Sequence, residues 1–244
     1  MQLIVVIWVV LRFYSDNSMA EIWKSIHVLN LARVSFNLKK YFVLLLQLIL
    51  SLVSFISCTV LSLFSLYYGL TCRLLRNLLQ NVLEKVEGDC FPEDLENLFL
   101  AYVDITRCMK HIDNHLSQPA FLTVFYTMTG LFSGGYRLVF QTYNTNEYFL
   151  SLILPLIFYL SVQLMIMLSA SITNELANNV KFVMQCLPYR NPSQDPEMKY
   201  KFEKDLNQEN CLSLWKFYVM DRSLVITSIG TLLTYGILIG SLGK

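Results

Sequence analysis

The chain has 244 residues, 55% hydrophobic and only 15% charged, where soluble domains run at roughly 45–50% and 25%. Its 19 basic and 18 acidic residues leave a net charge of +1, without the basic excess of a nucleic-acid binder. Nine glycines and six prolines are too few for a collagen-like or low-complexity chain.

The apolar residues come in blocks. A spanning helix needs ~20 mostly apolar residues, because ~30 Å of hydrocarbon is crossed at ~1.5 Å per residue. Met1–Leu11 is about half a span. It lacks the basic start of a signal peptide, and the small-x-small site Ser18-Met19-Ala20 lies beyond Arg12 and Asp16. It reads as the tail of a helix whose beginning lies upstream, which makes the chain an expected N-terminal truncation of a larger membrane protein. Residues 12–41 form a loop. Phe42–Leu70 has no charge and is a full span. Residues 71–119 carry charge again, with Leu74, Leu75, Leu78, Leu79, Val82 and Leu83 near helical spacing, punctuation at Gly88 and Phe91-Pro92, and a looser amphipathic pattern from Glu93 to Leu116. Ala120–Gln141 is apolar apart from Arg137. A short loop, 142–147, leads to the uncharged Tyr148–Ile172, whose Pro155 is tolerable in a bundle. Residues 173–222 begin as a continuing helix and turn polar over Asn191–Gln208, and Ser223–Gly243 is a fourth uncharged run. The expected fold is all-α: a polytopic transmembrane helical bundle whose helices extend into a cytoplasmic bundle.

Basic residues set the orientation. Segments 71–119 and 173–222 hold twelve Lys and Arg, and the opposite side holds six. The longer segments therefore face the cytoplasm, and the C-terminus lies outside. Five of the six cysteines fall in those cytoplasmic segments and Cys58 in a span, leaving none where disulfides form. The one sequon-like triplet, Asn191-Pro-Ser, is blocked by its proline.

Cys108, His111 and His115 share one helix face at ligand spacing, but no fourth ligand follows and no metal is expected. Arg137, near the outer end of its span, either contacts a ligand or Glu147, or snorkels to the headgroups. Tyr126, Tyr136, Phe140, Tyr148 and Phe149 surround the same outer half. Gly130/Gly134 and Gly236/Gly240 are GxxxG pairs, which let helices approach closely. Asp221-Arg222, at the foot of the last span, reads as an interfacial anchor. No phosphate loop, nucleophile elbow or carboxylate pair marks a catalytic residue or a cofactor site.

Toward the C-terminus, Leu214-Trp215-Lys216-Phe217 and Asp221-Arg222-Ser223-Leu224 lead to Gly230-Thr231-Leu232-Leu233-Thr234-Tyr235-Gly236-Ile237-Leu238-Ile239. This run resembles the last helix of arthropod gustatory receptors, the broad family that includes insect odorant receptors. Their signature there is Thr-Tyr, five mostly apolar residues, then Gln-Phe. Thr234-Tyr235 matches the first half, while Ser241 and Leu242 stand where Gln-Phe would be. The order of spans and loops also matches, from the end of the third helix to the seventh. The resemblance implies a ligand-gated, non-selective cation channel of the plasma membrane, assembled as a homo- or hetero-tetramer around the last helices and opened by a small-molecule tastant. It places Thr234 and Tyr235 in the pore helix, Ser241 and Leu242 at the gate, and the ligand pocket near Tyr136, Arg137 and Phe140. The alternative is a non-channel membrane scaffold or transporter subunit assembling through its cytoplasmic helices.

Overall fold

An uncharged run in lipid has one economical solution, the α-helix, which satisfies every backbone group within the segment. In the computed structural model, which describes residues 36–87, 92–140, 146–190 and 211–242, the first three full runs fall in helices far longer than themselves, and the fourth in a helix of its own length. Helix α1 is Phe36–Glu87 (52 residues), α2 is Pro92–Phe140 (49 residues) and α3 is Asn146–Arg190 (45 residues). Strands β1 (Ser213–Leu214) and β2 (Tyr218–Val219) form a small antiparallel hairpin, and α4 is Arg222–Leu242 (21 residues). The charged stretches expected to continue the apolar runs as helix do so without a break at 70/71, 119/120 and 172/173. Helix α1 begins at Phe36, so the last residues of the expected 12–41 loop are helical. Met1–Leu11 and the Asn191–Gln208 linker lie outside the described residues. Within α1 and α3, Leu44–Val86 and Phe149–Cys186 are long and apolar enough to cross a membrane.

Local chemistry explains the ends. Pro92 opens α2, where a missing N–H costs nothing. Asp221 caps α4, its carboxylate accepting the Leu224 N–H at 2.7 Å. Pro119 sits inside α2 and removes the helical donor of the His115 carbonyl.

The described residues divide into two compact units. One comprises Ser65–Phe125 and Gln163–Thr231. Its core is a seam: Tyr68, Cys72, Leu75, Leu79, Val82 and Val86 of α1 are buried at alternating steps of four and three. Gln163, Ile166, Ala170, Thr173, Ala177, Val180 and Met184 repeat the alternation on α3. That period keeps one stripe of each helix turned inward, as in a coiled coil. Close approach is visible where a Cβ on Gly69 would come within 3.0 Å of the Met165 side chain. The Thr173 hydroxyl donates to the Ser169 carbonyl at 2.7 Å and lies 3.4 Å from that of Cys72.

The hairpin, for which the sequence carried no strand expectation, docks into this unit through polar clamps. Buried Asn174 accepts the Leu212 N–H at 2.8 Å and donates to the carbonyls of Leu212 (2.9 Å) and Met220 (2.8 Å). Asp113 accepts the Ser213 N–H at 2.6 Å and the Ser213 hydroxyl at 3.0 Å. The Trp215 N–H donates to the Ser117 carbonyl at 3.2 Å. Beside the incoming strand, burial first and Cys211 second push the Tyr102 phenol up to about 12. Asp221-Arg222, expected as an anchor, divides its work: Asp221 caps the helix and Arg222 pairs with Glu175 of α3.

Candidate functional site

The described residues of Met1–Phe64, Tyr126–Val162 and Leu232–Lys244 form the other unit, which holds every residue singled out from the sequence for ligand or pore. Its geometry follows from the helical pitch of α2. Gly130 and Gly134 lie one turn apart, and their missing side chains are filled by α3. A Cβ at Gly130 would come within 2.7 Å of the Tyr159 ring, and one at Gly134 within 2.7 Å of Leu156. Two residues further along, about 200° round the helix, stand Phe132 and Tyr136, with Phe140 one turn beyond. Helix α2 therefore turns a small-residue face to α3 and an aromatic face away from it.

That aromatic face meets α4. The rings of Phe132 and Tyr235 lie edge to face, 5.4 Å apart at 89°, a favoured aromatic geometry. Tyr136 and Phe140 lie 4.7 Å apart at 35°. Tyr136, Phe140 and Tyr235 remain exposed by 56%, 41% and 49%, so three of the four rings offer free surface. Tyr126 lies across from Tyr159 at 6.0 Å. Arg137 is exposed beside this line, and its expected partner Glu147 falls outside the described side chains. Such a line supplies apolar ring faces, phenol hydroxyls and a guanidinium with five donors, the mixture that grips a small polar molecule with apolar faces.

On α4, Thr234 and Tyr235 are exposed, and the Ser241 hydroxyl donates back to the Leu238 carbonyl at 2.7 Å. Leu242 ends the helix with its side chain outside those described. Among the described residues nothing lies within 4 Å of a Cβ built at Gly236 or Gly240, so these two glycines present a bare helix surface. The structure thus joins Tyr235 to the aromatic line of Tyr136 and Phe140 through Phe132, while Ser241 makes no described contact with it. Sequence reasoning missed Phe132, although its spacing of four from Tyr136, and of eight from Phe140, was available. Cys108, His111 and His115 are all exposed on α2, with the two imidazoles 4.5 Å apart.

A family model described as a trehalose receptor matches residues 18–242, nearly the whole chain. No curated protein matches it. The match agrees with the resemblance drawn from Thr234-Tyr235 and the order of the helices, and it points to a receptor rather than an enzyme. By that match the chain belongs to the trehalose receptor family of insect gustatory receptors, and is a chemosensory membrane protein.

Proposed function

We propose that this chain is a subunit of a ligand-gated, non-selective cation channel in the plasma membrane, a tetramer opened by trehalose or a related sugar. The sugar class comes from the family description. The observation that carries the mechanism is the Phe132–Tyr235 ring contact. It ties a ligand-sized aromatic line on α2 to the residue next to Thr234 on the last helix. A sugar ring laid on Tyr136 and Phe140, with Arg137 donating to its hydroxyls, bears on that contact. Displacement of Phe132 then shifts α4, which lines the pore, with Ser241 and Leu242 at the gate. An apolar Leu242 closes such a pore by dewetting. Four spans carry this arrangement, at 42–70, 120–141, 148–172 and 223–243, with 71–119 and 173–222 in the cytoplasm.

The test is electrical. In cells that display the chain at their surface, sugar should evoke an inward cation current. Phe132→Ala should raise the half-maximal concentration by roughly 2- to 12-fold, the equivalent of an aromatic contact worth about 0.5–1.5 kcal/mol. Surface-expressed chain that stays silent to a sugar panel rules out this reading. A current indifferent to Leu242→Ala removes the gate from that position.

A further inference from the structure

The span ends proposed above were drawn from the local loss of charge on four separate stretches, at 70/71, 119/120, 172/173 and 222/223. Residues from all four meet at the hairpin. The Tyr68 hydroxyl donates to the Met220 sulfur at 3.9 Å. Trp215 donates its N–H to Ser117 and lays its ring 5.3 Å from Phe121. Asn174 holds Leu212 and Met220, and Asp221 opens α4 directly after the second strand. On every helix, the level of the hairpin is the level where charge gives way to apolar sequence. On the span boundaries proposed above, that level is the boundary between water and hydrocarbon.

The tip has the composition such a boundary selects. Trp215, Phe217 and Tyr218 are exposed by 43%, 71% and 62%, with Lys216 between the first two. Trp and Tyr rings settle at headgroup depth, and a lysine lays its stem along apolar surface while its ammonium stays wet. Leu122 and Phe125 of α2 and Ile226 of α4 are exposed as well, all on the membrane side of the proposed boundaries. The turn is also strained for what it carries. Trp215 and Lys216 adopt φ of 48° and 59°, a region that large side chains rarely enter. The Asn174 and Asp113 clamps hold the strands that force it. Bulk kept at such angles fits a demand on the side chains rather than on the turn.

We propose that the Trp215–Tyr218 tip is a lipid-binding element seated in the headgroup layer of the cytoplasmic leaflet, with Lys216 in reach of lipid phosphates. The proposal rests on the span boundaries of the preceding section. The test uses the full chain in vesicles of phosphatidylcholine and phosphatidylserine, with Trp8→Phe and Trp23→Phe leaving Trp215 as the fluorophore. Lipids brominated close to the headgroup should quench Trp215 more than lipids brominated near the chain terminus. A companion variant carries Leu238→Trp and Trp215→Phe and reports the depth of α4. If Leu238→Trp is quenched by the bilayer and Trp215 is not, the spans stand and the hairpin proposal fails. If neither is quenched, the span reading falls and takes the proposal with it. Emission that ignores brominated lipid but shifts when the assembly is dissociated assigns the tip to a second copy of the chain, and overturns the proposal. In the unmodified chain, a headgroup-level photoreactive phospholipid should label residues 215–219, and labelling elsewhere only is equally fatal to it.

Discussion

At residues 215 and 216 the backbone enters the left-handed region with a tryptophan and a lysine. There Cβ crowds the following carbonyl, at roughly 1–2 kcal/mol per residue. Neighbouring groups offset it: the Phe217 N–H donates to the Leu214 carbonyl at 3.0 Å, and the Lys216 N–H to the Ser213 hydroxyl at 3.2 Å. Lys216→Gly removes the crowding and keeps both bonds, since both use backbone donors. We expect this substitution to stabilise the detergent-solubilised chain by about 1 kcal/mol, part of the gain being lost to the freer unfolded glycine. A melting temperature that falls instead would show that the lysine side chain supports the turn. None of this was legible in the sequence, because Trp-Lys carries no turn signal. Nor were the partners that hold the hairpin: Asp113 and Asn174 read as ordinary polar residues of amphipathic helices until the chain returns to them from 100 and 38 residues away.

Among the elements, the two GxxxG pairs show what spacing reveals and what it leaves open. Gly130/Gly134 and Gly236/Gly240 look alike in sequence, yet α3 fills the first pair and nothing described approaches the second. Spacing shows that a helix has a smooth face. What lies across it depends on the tertiary fold or on another subunit. Gly130→Val drives new carbons into the Tyr159 ring and should destabilise the chain by about 1–3 kcal/mol, read as a lower melting temperature. Gly236→Ala has free space and a better helix former, and should hold or slightly raise that temperature in the isolated subunit. If the isolated subunit melts earlier with alanine at 236, the bare face is covered within the chain after all.

For the molecule as a whole, helix length is the instructive quantity. At ~1.5 Å per residue α1 is ~78 Å long and α3 ~68 Å, more than twice the ~30 Å of hydrocarbon. A helix of either length that crosses once leaves more than half of itself outside the hydrocarbon. The uncharged runs were legible because lipid tolerates few alternatives to helix. The ends of the helices were not, because the heptad seams at 68–86 and 163–184 keep them wound well past the last apolar residue of each run. The basic asymmetry of twelve against six predicts an external C-terminus. A tag placed after Lys244 should be stained by antibody on intact cells, and staining that requires permeabilisation reverses the orientation.

The hairpin bears on motion as well. Only Asp221 separates the clamped Met220 carbonyl from the first residue of α4, and Arg222 is itself tied to Glu175. The foot of α4 cannot slide along its axis without breaking the Asn174 bonds and that ion pair together. A tilt about that foot would leave those bonds intact, and the sweep of a lever grows with distance from its fulcrum. A small tilt at Asp221 is magnified toward Tyr235 and is largest at Ser241 and Leu242, so the far end of the helix travels most for the least disturbance at its base.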